Sequence, residues 1–138
     1  SAPSLPLKGS TVTDRAHVER LIVALHAARM GGDLATMCSL FADDGRFEIA
    51  GASADKPIAI RAVGLAAFRP WLAMMTKVFR LRDYALLSLV VEWPRATVHW
   101  RADIHSKVTG ITVATQLVDL VEIRGERIQT YNEFFVPR

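Results

Sequence analysis

Residues 98–105 read Val-His-Trp-Arg-Ala-Asp-Ile-His, an uninterrupted alternation of apolar and polar side chains. Because a β-strand sends successive side chains to opposite faces, this stretch predicts a strand with one apolar and one charged face. The charged face either meets water or lines a polar pocket, and the alternation alone does not decide between the two. If it lines a pocket, Arg101 and Asp103 lie inside the protein.

The residues on both sides of this stretch also have the sequence pattern of strands. Strands are predicted over 84–93, 96–106, 111–123 and 127–136, with short turns between them that contain Pro94, Gly110 and Gly125. Consecutive strands joined by short turns are typical of an antiparallel meander.

The first half of the chain has helical spacing instead. Apolar stripes predict three helices, the third after a short strand over 46–50 and a loop rich in small residues. Thr13 or Asp14 can cap the first helix, the pair Gly31–Gly32 ends it, and Asp33 can cap the second. A proline within the third stripe, Pro70, predicts a kink or a late start. The stripes are Val18, Leu21, Ile22 and Leu25; Leu34, Met37, Cys38 and Phe41; and Leu65, Phe68, Leu72, Met75 and Phe79.

Helices first and strands last indicate an α+β domain, in which a cone-shaped, curved antiparallel sheet packs against three N-terminal helices and encloses a pocket. We expect a flexible segment over 1–12 and a single domain over 13–138. The chain has 138 residues, is 51% hydrophobic and has a mean hydropathy of +0.21. Such surplus apolar surface suggests a lined cavity, a dimer interface, or both.

Charge and cysteine usage exclude several classes of protein. The net charge is only +3 and the basic residues form no stripe, so we expect no nucleic-acid partner. No segment approaches the roughly 20 apolar residues of a membrane helix, so no membrane partner is expected. The single cysteine, Cys38, allows no internal disulfide and favours a cytoplasmic location.

Five segments resemble the nuclear-transport-factor-2-like superfamily, which includes ketosteroid isomerases, SnoaL-like polyketide cyclases, limonene epoxide hydrolases and scytalone dehydratases. The segments are 32–34 (GDL), 40–44 (LFADD), 47–49 (FEI), 117–125 (LVDLVEIRG) and 131–135 (YNEFF). The resemblance covers about residues 14–136 and implies the cone fold with a partner surface opposite the cavity. It implies no single activity, because one fold hosts enzymes and non-enzymes.

The steroid-isomerase set is incomplete in this chain. The resemblance places that family's base at Ile49 and its helix-one tyrosine at Leu25, both of which are apolar here. Only the acidic hydrogen-bond donor has a counterpart, at Asp119. We therefore do not expect isomerisation of that type.

The limonene epoxide hydrolase set fits better. Arg101 and Asp103 match its Arg-x-Asp pair, and its last acid falls on Glu133, whereas its water-holding positions fall on Phe47 and Ile49. The resemblance implies that Asp103 deprotonates a water, Arg101 orients the carboxylates and Glu133 protonates the leaving oxygen. The expected substrate-binding residues are Asp119, Tyr131, His99, Phe47, Ile49 and Trp71.

Each candidate also has a plainer interpretation. Arg101 and Asp103 could form an ordinary surface ion pair. Both His17 and His26 are expected on a helix surface. Asp119 lies among apolar strand residues, so it needs a partner or a raised pKa. The strand histidines have no third ligand at a recognisable spacing, so no metal and no cofactor are expected.

The sequence thus predicts a cofactor-independent acid/base enzyme with a deep pocket for a small hydrophobic molecule. Epoxide opening, cyclisation, isomerisation and dehydration remain open. The alternative is a non-catalytic module of the same fold that binds a small ligand or dimerises. A homodimer is expected, with Trp100 and residues 86–91 as candidates for its interface.

Overall fold

The computed structural model of the protein describes residues 11–53 and 56–136, and the side chains of all of these except 51–53 and 56–59. Three helices and six strands lie within the described residues. Their bounds are α1 Val12–Met30, α2 Leu34–Ser39, β1 Phe41–Ser53, β2 Lys56–Val63, α3 Leu65–Lys77, β3 Phe79–Glu92, β4 Arg95–Ser106, β5 Thr112–Arg124 and β6 Arg127–Phe135.

Helix α1 starts at a capping box and ends at a glycine. The Thr11 hydroxyl accepts from the Asp14 amide, and the Asp14 carboxylate accepts from the Thr11 amide. The predicted cap at Thr13 or Asp14 was therefore two to three residues late. The predicted stop is confirmed at Gly31. Of the predicted flexible segment, residues 1–10 lie outside the described residues, and Val12 already belongs to the helix.

The six strands form one curved, open sheet in the order β2-β1-β6-β5-β4-β3. The α+β cone is confirmed, but the expectation of a purely antiparallel sheet was wrong. Strands β1 and β6 run parallel, with Phe47 opposite Tyr131 and Ile49 opposite Glu133. The first and last strands pair although most of the chain separates them in sequence, and local spacing cannot reveal such a pairing. This pairing brings the acidic end of β6 beside β1.

Two elements differ from their predictions in the first half of the chain. Strand β2 occupies what was predicted to be a loop around Pro57, and it pairs with β1. Phe41 opens β1 rather than closing α2. Helix α3 begins at Leu65 with Pro70 inside it, so the predicted late start was wrong.

The helices pack on one face of the sheet, which we call the inner face; it carries Trp100, Asp119, Tyr131 and Glu133. On β4 the buried side chains are Ala96, Val98, Trp100 and Ala102, so the apolar half of the alternation faces inward. The charged half faces away from the helices, contrary to what the epoxide hydrolase resemblance implies for it, although Arg101 and Asp103 still border the cavity of the cone. Burying a large apolar side chain gains about 1.5–3 kcal/mol, whereas burying unpaired charges is costly.

The core of the cone predicts unequal costs for two neighbouring truncations on α1. Ile22 is 0% exposed and Val23 is 51% exposed. Ile22→Ala should lower the free energy of unfolding by about 2–5 kcal/mol, because it leaves a cavity between helix and sheet. Val23→Ala, the matched control, should change it by no more than about 0.5 kcal/mol. Urea denaturation measures both, and similar losses would contradict this helix orientation.

Candidate functional site

A cavity of about 930 Å³ opens at one end of the cone. Its walls are mainly apolar, from Ile49, Ile60, Met75, Ile104 and Phe135 among others. Two buried charged side chains also reach it, Arg29 from α1 and Glu133 from β6. An apolar cavity with a few convergent polar groups is the usual form of a small-molecule site.

Arg29 and Glu133 form a buried ion pair. Arg29 Nη1 donates to Glu133 Oε1 at 2.7 Å, and the guanidinium carbon lies 5.2 Å from the centre of the Trp100 ring. Burial by itself would lower the pKa of Arg29, but the facing Glu133 carboxylate outweighs it and the pKa is raised. Arg29 is therefore a fixed cation at the wall of the cavity.

Asp119 lies directly opposite Glu133 in the β5–β6 register and is fully buried. Its Oδ2 accepts from Trp100 Nε1 at 2.8 Å and from the Tyr131 hydroxyl at 2.7 Å. Burial raises the pKa of Asp119 to about 6, although the hydrogen bond from Tyr131 and the charge of Arg29 oppose the shift.

Glu133 and Asp119 together form a buried carboxyl pair, and the pKa of each is raised above its ordinary value. Burial raises the pKa of Glu133, the charge of Arg29 partly offsets this, and the neighbouring Asp119 raises the pKa further. Two adjacent carboxyl groups hold one proton more tightly than a single one does, and the proton belongs to the pair. The arrangement can therefore both accept and supply a proton.

Behind the carboxyl pair lies a histidine–tyrosine pair. His26 Nδ1 is 2.5 Å from Tyr84 Oη, and His26 Nε2 is 3.6 Å from Asp119 Oδ2. Burial and the charge of Arg29 lower the pKa of His26 to about 4, so the imidazole is neutral at pH 7. The expectation of a helix-surface position for His26 was wrong, since this side chain is 1% exposed.

The structure brings together three of the sequence candidates and places two more beside them. Glu133, Asp119 and Tyr131 converge on the inner face. Phe47 stacks on Tyr131 with ring centres 5.8 Å apart, and Ile49 lines the cavity. Trp71 on α3, another of the expected substrate-binding residues, is 38% exposed and does not line the cavity.

The charged residues of β4 do not join this cluster. Arg101 and Asp103 line the part of the cavity where β4 and β5 run past the end of β6, and His99 pairs with Gln116 on the outer face. Arg101 is exposed and donates to the Asp83 carbonyl at 3.3 Å. The expected cluster of Arg101, Asp103 and Glu133 is therefore not formed, because its members leave the sheet on opposite faces.

Sequence reasoning missed Arg29, Tyr84 and the role of His26 in the buried cluster. The signal for Arg29 was present, since it follows Ile22 by seven residues and Leu25 by four and so continues the apolar stripe. A charge in an apolar stripe needs a buried partner. Trp100, expected at a dimer interface, is 0% exposed within one chain, so that expectation was wrong.

Two further features concern the described part of the chain. No helix in it has both the length and the apolar character needed to cross a bilayer. Within the same residues, no three His, Cys, Asp or Glu side chains are grouped so that they could hold a metal ion.

Comparisons with known proteins identify relatives of this fold. A family model described as a SnoaL-like domain matches residues 18–131. A proposed isomerase from Bacillus subtilis is 18% identical with a TM-score of 0.78, covering 90% of this chain and 89% of its own. A proposed polyketide cyclase from Xanthomonas campestris is 20% identical with a TM-score of 0.71, covering 89% and 93%.

An LEH-like epoxide hydrolase from M. tuberculosis is 15% identical with a TM-score of 0.72, covering 89% of this chain and 85% of its own. At these identities the likeness shows the fold and not an activity. No curated protein matches the chain. The resemblance to the nuclear-transport-factor-2-like superfamily is confirmed.

The buried His26 predicts a loss of stability in mild acid. The pKa of His26 is about 4 in the folded protein and 6.5 when exposed, so its stabilising contribution is present above pH 6.5 and is lost as the pH falls toward 4. This loss amounts to about 2 kcal/mol between pH 7 and pH 5. His26→Gln should remove it, so the variant's free energy of unfolding should depend less on pH.

Replacement of Asp119 is the control, because its effect on the pH dependence of stability should have the opposite sign to that of His26. Its folded pKa of about 6 lies above the ordinary value of 3.8, so its stabilising contribution grows as the pH falls between these values. Asp119→Asn should therefore steepen the acid loss. Urea denaturation at pH 5, 6 and 7 measures all three proteins, and parallel pH profiles would contradict the assignment.

Proposed function

The chain belongs to the SnoaL-like domain family, and on that premise we propose that it catalyses cofactor-independent proton transfer at carbon in a small apolar carbonyl compound. The observation that carries the proposal is the buried Arg29–Glu133 pair at the wall of an otherwise apolar cavity. Enolisation needs a base and a group that stabilises the enolate oxygen, and a carboxylate beside a guanidinium can supply both.

Glu133 acts as the base. It lines the cavity and is 1% exposed, and burial raises its pKa above the ordinary value of a glutamate, which makes it a stronger base. A base works best when its pKa is near the operating pH, because it then accepts the proton readily and also releases it. Glu133 takes the proton from the carbon next to the carbonyl group.

Arg29 stabilises the charge that this step creates. Before the reaction its guanidinium balances the Glu133 carboxylate at 2.7 Å. When Glu133 becomes protonated the negative charge moves to the enolate oxygen, and the fixed guanidinium then binds that oxygen. Preorganised charge in a site that excludes water is usually the largest contribution to such catalysis.

Asp119 and Tyr131 lie behind Glu133 and shape its electrostatic surroundings. The Tyr131 hydroxyl donates to Asp119, whose carboxyl neighbours that of Glu133 in the β5–β6 register. Tyr131 is itself kept protonated, since burial and the charge of Asp119 raise its pKa. Glu133 can then return the proton to the same carbon or to another one, which corresponds to exchange, isomerisation or cyclisation.

The expected homodimer remains a proposal, with the outer face of the sheet as its interface. On that face Leu120 is 41% exposed and Val118 and Phe134 are half-buried. A cytoplasmic location likewise remains a proposal, resting on the single cysteine. Analytical ultracentrifugation, which distinguishes a dimer from a monomer, tests the proposed homodimer.

Hydrogen exchange at carbon tests the proposed reaction without knowledge of the natural substrate. A panel of bicyclic ketones is incubated in D₂O with the protein, and NMR follows deuterium at the α carbon. The native protein should accelerate exchange for at least one ketone, and Glu133→Gln should reduce that rate by about 100-fold or more. Arg29→Lys should reduce it about tenfold or more, because the planar fork is lost.

Glu48→Gln is the matched control for the loss of a carboxylate. Glu48 lies on β1 and pairs with the exposed Arg61 at 3.1 Å, away from the cavity. Its replacement should leave the exchange rate unchanged. Ketones that bind, as shown by thermal shift, without any exchange would overturn the proposal in favour of a non-catalytic binding module.

A further inference from the structure

A second route leads from the buried carboxyl pair, on the side away from the cavity. Asp119 accepts from Trp100 and Tyr131, and its third neighbour is His26. His26 in turn contacts Tyr84 on β3, an edge strand of the sheet where Tyr84 is half-buried. The order Asp119, His26, Tyr84 therefore runs from the interior toward the edge of the sheet.

We propose that His26 and Tyr84 form a proton relay between solvent at the edge of the sheet and the Asp119–Glu133 pair. This inference rests on the proposed function for its use, but its geometry is independent of any substrate. An apolar molecule in the cavity would cover Glu133 on its exposed side, and a second route would let the pair still exchange a proton with water.

The chemistry of the two side chains suits a relay. An imidazole accepts a proton at one ring nitrogen and releases another from the opposite nitrogen, and a hydroxyl does the same at one oxygen. In the relay the imidazole carries its hydrogen on Nε2, facing Asp119, so that Nδ1 accepts from the Tyr84 hydroxyl. The separation of 3.6 Å between Nε2 and Asp119 Oδ2 is about 0.6 Å longer than a hydrogen bond, so the relay requires a side-chain movement that brings these two atoms together.

The relay step balances without any other reactant. A proton that enters from water binds Tyr84 Oη, the Tyr84 proton passes to His26 Nδ1, and the Nε2 proton passes to Asp119. A proton that leaves takes the reverse steps and restores the imidazole. Asp119 Oδ1, which has no hydrogen-bond partner among the described residues, remains free to exchange its proton with Glu133.

A backbone irregularity supports a specific purpose for Tyr84. The β3–β4 register sets two residues, Asp83 and Tyr84, opposite the single residue Ala102. Asp83 has φ +52°, in the left-handed region that residues other than glycine seldom adopt. Such a bulge turns a side chain toward a chosen face, and here it directs Tyr84 inward onto His26. Arg101 holds the bulge through the Asp83 carbonyl.

Proton exchange at His26 tests the relay in the intact protein. With ¹⁵N-labelled histidine, NMR measures the exchange of the His26 imidazole hydrogen with water. Tyr84→Phe removes one oxygen and keeps the ring that packs against Trp100 and His26. We expect exchange to slow by about tenfold or more. Where exchange already broadens the native signal, its appearance in the variant is the same result.

A purely structural role for Tyr84 predicts the opposite, because loss of a hydrogen bond loosens the site and speeds exchange. Unchanged or faster exchange at His26 would therefore overturn the relay. His99 is the internal control, since it lies on the outer face and bonds Gln116, and its exchange should not change. The thermal unfolding curve of Tyr84→Phe confirms that the variant is folded.

A second measurement uses turnover. With a chiral α-methyl bicyclic ketone in D₂O, the ratio of deuterium incorporation to racemisation reports how often the abstracted proton exchanges with solvent. Tyr84→Phe and His26→Gln should lower that ratio severalfold, and an unchanged ratio would overturn the relay. If no ketone reacts at all, the proposed function fails, and the His26 exchange rate still decides the relay.

Discussion

Two carboxyl groups, Asp119 and Glu133, lie side by side within an apolar cone, and the partners around them follow from their burial. Removing one charged group from water costs several kcal/mol even after relaxation. Each carboxyl therefore has dedicated donors. Arg29 serves Glu133, while Trp100 and Tyr131 serve Asp119. Since these donors come from α1, β4 and β6, the polar cluster ties the first helix to the middle of the sheet.

The same carboxyl pair meets two different surroundings. On the cavity side Glu133 faces an apolar space and a fixed cation, which favours proton transfer to and from a bound molecule. On the other side Asp119 faces a neutral imidazole. Burial and, after it, the charge of Arg29 lower the pKa of His26, so the cation that balances Glu133 also helps to keep the histidine neutral. One guanidinium thus acts on both sides of the carboxyl pair.

The outer face of the sheet shows how charged strand residues can serve structure. His99 bonds Gln116 across the β4–β5 pair, and Arg101 holds the carbonyl of a strained residue in β3. These contacts shape the backbone that positions Tyr84. The outer face therefore supports the buried cluster indirectly, through the bulge and the register, although none of its side chains reaches the carboxyl pair.

Local spacing in the sequence determined most of the elements, though not β2 or the start of β1, and it carried the family resemblance. The stripe from Val18 to Leu25 predicted α1, the alternation over 98–105 predicted β4, and the burial of Asp119 followed from its apolar neighbours. These inferences hold because helix and strand periodicities are properties of a few consecutive residues. The candidates on the two predicted last strands, Asp119 on β5 and Tyr131 and Glu133 on β6, also lie together in the structure.

Tertiary structure alone decided which face of β4 turned inward, since a strand with one apolar and one charged face fits either a pocket or a surface. It also decided that β1 runs parallel to β6 and that Arg29, about five sixths of a turn beyond His26 on the same helix, meets Glu133 more than a hundred residues later. Such pairings join distant segments, and their free energy depends on the burial of both partners together. No window of neighbouring residues contains that information.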